Sequence, residues 1–140
     1  MTTSDNPCGF IEIAHTADWA VKIWAPDFMS LLAEAARAMY ALQMTRVEGQ
    51  SGRAAVEMSV AGEDEESWLV GFLSELVYWQ DTRGIMVEEL AFSRDGSVIR
   101  ARGWAVTIAE RAKEIKAVTY SGLEVRVTEQ GVEAVVVFDV

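Results

Sequence analysis

The residues whose types and spacing could do chemistry lie near the two ends of the chain. His15 is the only histidine. Asp18 follows three residues later in the short polar stretch His15-Thr16-Ala17-Asp18, between two extended segments. An imidazole and a carboxylate on one loop could serve a cation or a proton. The same small polar residues can also bond their own backbone and make a tight turn, so both readings stand. Near the other end, Phe138-Asp139-Val140 places a carboxylate in an otherwise apolar strand, with the α-carboxylate of Val140 one residue beyond it. These acids could hold a hard cation such as Ca²⁺ or Mg²⁺, which takes carboxylate and carbonyl oxygens and needs no thiolate, or Asp139 could simply face water at a solvated terminus. If Asp18 came close to Asp139, repulsion between the two charges would require a cation or a shared proton.

Other charged positions are read against plainer alternatives. Lys116 opens a run of uncharged residues and could reach into water from a sheet edge or stand as a cation beside the carboxylates. Glu63-Asp64-Glu65-Glu66 resembles a metal run, but consecutive acids on a helix point in different directions; a helix start, where the helix dipole favours negative charge, accounts for them better. Glu75 and Asp81 read as surface positions of a helix. The tryptophans, Trp19, Trp24, Trp68, Trp79 and Trp104, read as core, although an exposed pair would mark an interface. No Walker-type or dinucleotide-type glycine loop, nucleophile elbow or HExxH is present.

Composition narrows the function classes. At 140 residues with 51% apolar side chains, the chain can bury one core without disulfides or metal staples. A net charge of −10 repels a phosphate backbone unless the few basic side chains gather on one face, so direct nucleic-acid binding is not expected. The same charge suits divalent cations or a basic protein partner. With Cys8 as the only cysteine, neither an internal disulfide nor a thiolate zinc site can form, which fits a reducing compartment such as the cytoplasm. Neither a signal-peptide pattern nor an apolar run of membrane-spanning length is present, so no membrane association is expected.

The elements that must position these residues follow from hydrophobic periodicity. Residues 9–14 and 19–24 read as strands around the His15–Asp18 break, and Pro26 ends the second. Asp27 caps a helix whose Phe28, Leu31, Leu32, Ala35 and Met39 form a buried stripe running to about residue 44. Residues 53–61 alternate as a half-buried strand ending at Gly62. The acidic run then opens a second helix to about residue 82, with apolar residues on more than one flank, as expected of a helix packed on several sides. Residues 85–94 and 97–107 flank Asp95-Gly96 as a hairpin, residues 108–114 are ambiguous, and residues 116–128 and 132–140 form a second hairpin around Glu129-Gln130-Gly131. The nearly continuous apolar run Val135-Val136-Val137-Phe138 predicts a central strand covered on both faces. The expected class is α+β: antiparallel or mixed β-sheets with two packed helices, in a single domain over residues 9–140 after a flexible segment of residues 1–8.

Taken together, His15-Thr16-Ala17-Asp18, the helix with Leu31-Leu32-Ala33-Glu34-Ala35-Ala36, Trp68-Leu69 leading to Ser74-Glu75-Leu76-Val77-Tyr78, the run from Lys116 to Val125 and the closing Asp139-Val140 resemble the archease family from about Phe10 to the last residue. The resemblance implies an α+β protein, not itself an enzyme, that activates the GTP-dependent RNA ligase of tRNA splicing by promoting its guanylylation and so its multiple turnover. It also implies a cation site, calcium or magnesium, on Asp18, Asp139 and Val140, with Lys116, Glu75 and His15 as further candidates for ligase activation. The chain departs from the family pattern at Ser121, where histidine is usual, at Trp19, where a smaller aliphatic residue is common, and at Arg83, where an acid is expected. The alternative expectation is a general chaperone-like modulator of RNA-processing enzymes that keeps a basic client soluble. A metal-dependent hydrolase, which would have to turn over alone, ranks below both.

Overall fold

The computed structural model describes residues 7–13, 19–49 and 52–140. His15 and Asp18 therefore lie outside the described residues, as does the expected flexible N-terminal segment apart from Pro7 and Cys8; Cys8 packs half-buried against the core. In chain order the elements are β1 (Gly9–Ile13), β2 (Trp19–Ala25), α1 (Phe28–Leu42), β3 (Arg46–Val47), β4 (Ala54–Ala61), α2 (Glu65–Arg83), β5 (Ile85–Asp95), β6 (Val98–Glu110), β7 (Ala117–Thr119), β8 (Arg126–Thr128) and β9 (Gly131–Asp139). The expected α+β class holds, with two helices and antiparallel strand pairs throughout.

The strands form two sheets. One runs β1-β2-β9-β7, with β8 also on β9; in the other, β6 carries β4, β5 and the short β3. Helix α1 starts where Asp27 accepts the Ser30 N–H at 2.8 Å, satisfying an amide that the first turn leaves unpaired. Its stripe of Leu31, Ala35 and Met39 is fully buried, as the spacing predicts. The helix stops at Leu42, short of the expected residue 44, because Met44 turns into the left-handed region at φ 52°.

Helix α2 is anchored as the acidic run predicts. Asp64 is its cap and makes a reciprocal box with Ser67, while Glu65 and Glu66 occupy the first turn. At the far end Gly84 takes the left-handed conformation, φ 64°, and returns its N–H to the Gln80 carbonyl. Trp68, Leu69, Val70, Phe72, Leu73, Leu76, Val77 and Trp79 are all buried, so the helix has almost no single apolar face. That wrapping follows from its place: α2 packs against β4 and β5 of one sheet, β7 of the other, and α1. Burying each large apolar side chain contributes about 1.5–3 kcal/mol, so α2, like α1, ties the two sheets together.

The second hairpin departs from expectation. Residues 116–128 are not one strand; β7 and β8 both pair with β9 but are separated by residues 120–125. Gly122, at φ 62°, supports a turn closed by Leu123 N–H on the Tyr120 carbonyl at 3.0 Å. Val125 N–H leaves the ladder to donate to the Glu66 carboxylate at 2.7 Å. Continuing the β8 register would set Tyr120 opposite Asp139, whereas the excursion brings Ala117 there. Strand β9 is central as expected, but only one face is fully covered: Ala134, Val136 and Phe138 are buried, while on the other face Val137 is buried and Val135 is 36% exposed. Its near-continuous apolar pattern therefore overstates its burial. Two features had no expectation attached: the two-residue β3, and the extension of β6 through the charged residues as far as Glu110.

Candidate functional site

The candidate residues near the chain's end are assembled by strand register. Trp19 pairs with Phe138 between β2 and β9, and Ala117 pairs with Asp139 between β7 and β9. Lys116, just before β7, donates its backbone N–H to the Asp139 carbonyl at 2.8 Å. Phe138 is fully buried, and alternation along the strand turns the next side chain, Asp139, into the exposed class. Val140 follows at 38% exposure. The side chains of Lys116 and Asp139 are both exposed, and neither makes an ion pair with another described residue. Thus an ammonium group and a carboxylate sit on neighbouring backbone at one end of the sheet, neither ion-paired among the described residues.

A further cation stands nearby. The Lys113 ammonium lies 4.8 Å from the ring centre of Trp19, a cation–π contact between the segment after β6 and the first residue of β2. Sequence reading did not single out Lys113, because it lies in the ambiguous charged stretch. Trp19, which the sequence marks as a core residue and as a departure from the family pattern, is half-buried and serves as the platform for that lysine.

Of the expected cation ligands, Asp139 and Val140 are together and Asp18 falls outside the described residues, as does His15, a candidate for ligase activation. Among the described residues no group of three or more His, Cys, Asp and Glu side chains is placed to hold a metal ion. The donor chemistry here is hard oxygen, from the exposed Asp139 carboxylate, which suits Ca²⁺ or Mg²⁺ in kind. A complete ligand set requires donors beyond the described ones. Glu75 is half-buried on α2 and makes no ion pair with Lys116 among the described residues. Ser121 is exposed in the 120–122 turn, its N–H donating to Thr119 Oγ1 at 3.3 Å. Arg83 lies 5.1 Å from the ring centre of Trp79 on its own helix. Asp81, read as a surface acid, faces Arg111 at 3.5 Å.

The tryptophans divide as their surroundings dictate. Trp68 and Trp79 are core, and Trp68 donates its indole N–H to the Ser97 carbonyl at 2.9 Å. Trp104 is exposed on the outer face of the second sheet, under the Arg53 guanidinium at 5.0 Å. Titration behaviour away from the site is local. Burial pushes the Tyr40 phenol well above its ordinary range, although its oxygen accepts the Val87 N–H at 3.2 Å. The Ser67 backbone N–H, and after it the Ser67 hydroxyl, hold the Asp64 carboxyl below its usual range.

Residues 10–140 match the model of the Archease protein family (MTH1598/TM1083). The chain is 31% identical over 139 residues to an archease of Methanosarcina acetivorans, covering 91% of this chain and 93% of that protein. It is 29% identical over 125 residues to an archease of Methanopyrus kandleri, covering 81% and 86%. The solution structure of Methanobacterium thermoautotrophicum protein 1598 superposes with a TM-score of 0.72 at 24% identity, over 94% of this chain and 99% of that one. A crystal structure from Thermotoga maritima, described as an archease and possible chaperone, superposes with a TM-score of 0.68 at 22% identity, over 91% and 94%. At these identities the two structures speak for the fold.

Proposed function

The chain belongs to the archease family, and on that premise we propose that it is an accessory protein of the GTP-dependent RNA ligase of tRNA splicing, promoting guanylylation of the ligase and hence its multiple turnover. The observation that carries the reading is the pairing of Lys116 with Asp139 at one end of the first sheet, both exposed and both without an ion-pair partner among the described residues. Exposed charges with no ion-pair partner among the described residues can face a partner's active site.

In this reading Asp139 and Val140, with Asp18, would hold a divalent cation, which would supply positive charge against nucleotide phosphates. Lys116 contributes a second positive charge, on a stem whose backbone is held beside Asp139. The ligase brings the nucleophile; this protein brings orientation and charge, and does not turn over substrate alone. Glu75 and His15 are secondary candidates. The net charge of −10 also supports a second reading, a chaperone-like modulator that holds a basic client soluble.

The test is multiple-turnover RNA ligation by a cognate ligase with GTP and a divalent metal, with and without this protein. Stimulation by wild type that is lost in folded Asp18→Ala and Asp139→Ala variants supports the accessory role and its carboxylates. Equal stimulation by all three moves the mechanism to surface binding, and no stimulation by any rejects the ligase as partner.

A further inference from the structure

We propose that Gln43 is a positioning residue: its buried side chain, cross-linked to Gln80, sets the course of the strap of residues 111–116 that delivers Lys113 and Lys116 to the Asp139 end of the sheet. The functional half of this inference rests on the accessory-protein reading above; the structural half does not.

The strap has no regular secondary structure, so its course depends on tethers. At its start, the Arg111 guanidinium faces Asp81 on α2 at 3.5 Å and Glu114 at 3.7 Å. In its middle, three amides end on one residue. Ala112 and Lys113 N–H donate to the Gln43 main-chain carbonyl at 2.9 and 3.3 Å, and Ile115 N–H donates to Gln43 Oε1 at 3.0 Å. Lys113 then lies over Trp19, and Lys116 N–H reaches the Asp139 carbonyl. Ile115, fully buried, plugs the strap into the core.

The Gln43 side chain is itself fixed. It donates from Nε2 to Gln80 Oε1 at 3.1 Å and accepts from Gln80 Nε2 at 3.0 Å, and Nε2 also approaches the Met39 carbonyl at 3.4 Å. Both glutamines are among the few buried polar residues, at 0% and 2% exposure. A carboxamide carries two N–H donors and an oxygen with two acceptor sites, so Gln43 binds its twin on α2 in both directions and still receives the Ile115 amide. Successive Cα atoms lie about 3.8 Å apart, so anchoring the Ile115 amide on Gln43 and the Lys116 amide on Asp139 leaves the lysine backbone little freedom. Lys116 is thus held from two sides, and Gln43 supplies one of them.

The test uses the full chain with Gln43→Met and Gln80→Met, each checked for fold by amide NMR. Hydrogen exchange is read at Ile115 and Lys116, with Val21 and Val136 as core references, and ligase stimulation is titrated to saturation. In Gln43→Met, exchange at Ile115 and Lys116 rises by about tenfold beyond any change at the references, the order expected for one lost buried hydrogen bond. Gln80→Met, which leaves the Ile115 bond in place, gives a smaller rise at the same amides. Maximal stimulation falls while the half-saturating concentration holds. Exchange that rises uniformly across the fold, or does not move at Lys116, overturns the inference; so does full stimulation by a variant with a loosened strap. If wild type fails to stimulate any ligase, the accessory reading fails and exchange alone decides the role of Gln43. If Gln43→Met does not fold, Gln80→Met carries both readouts.

Discussion

Replacing Gln43 and Gln80 by leucine, singly and together, gives a quantitative test of the buried amide pair. In Gln43→Leu three polar groups lose their partner: the Ile115 amide and both ends of the Gln80 carboxamide. A buried donor or acceptor left unsatisfied costs about 1–3 kcal/mol, so this variant loses roughly 3–9 kcal/mol, a large share of an ordinary domain's 5–15 kcal/mol. Gln80→Leu is milder, because Gln43 keeps the Ile115 amide and the Met39 carbonyl; a loss of about 1 kcal/mol follows. The double variant removes the Gln80 carboxamide that Gln43→Leu strands, leaving only the Ile115 amide without a partner, and loses about 1–3 kcal/mol. The double variant is therefore more stable than Gln43→Leu alone, and the cycle departs from additivity by about 2 kcal/mol or more. Urea unfolding with a common slope measures all four proteins. Additivity within about 0.5 kcal/mol, or a larger loss from Gln80→Leu than from Gln43→Leu, refutes the geometry on which the argument rests.

Three further outcomes follow from the packing and the titrating groups. Leu73→Ala, at a fully buried position of α2, costs about 2–5 kcal/mol in urea unfolding, whereas Tyr78→Ala, at a 57% exposed position of the same helix, stays within about 0.5 kcal/mol. Tyr40→Phe strips the Val87 amide of its acceptor and costs about 1–3 kcal/mol at neutral pH. Because the folded phenol titrates above its ordinary value of 10.0, it contributes stability below that pH that is lost as pH rises beyond it; the phenylalanine variant loses this dependence in alkaline unfolding curves. Asp64 has the opposite sign: its folded carboxyl is held low by Ser67, so its contribution is present above the ordinary carboxylate range and disappears as pH falls through the folded value, and Asp64→Asn flattens the acid limb of the thermal midpoint.

The sequence was most legible where one residue type has one physical reason to be in place. Asp27 and Asp64 announce helix starts because an amide must be capped, and Asp95-Gly96 announces a hairpin because Gly96 takes φ 62°. The neighbourhood of Lys116 and Asp139 was half legible: the hairpin brings their strands together, but the shift of register depends on Val125 leaving the ladder for Glu66, a contact between distant segments. Gln43 and Gln80 were passed over because a glutamine ordinarily reads as a surface residue. A signal was nevertheless present, since each stands four residues beyond a buried member of its helix stripe, Met39 and Leu76, where another apolar residue would be expected.

The central claim is tested most directly by following covalent attachment of guanylate to the cognate ligase, with radiolabelled GTP and a divalent metal, in the presence of wild type, folded Asp139→Asn or folded Lys116→Ala. The account predicts that wild type raises the rate of guanylylation and that both variants lose most of this effect while still binding the ligase. Guanylylation raised equally by all three proteins would contradict it.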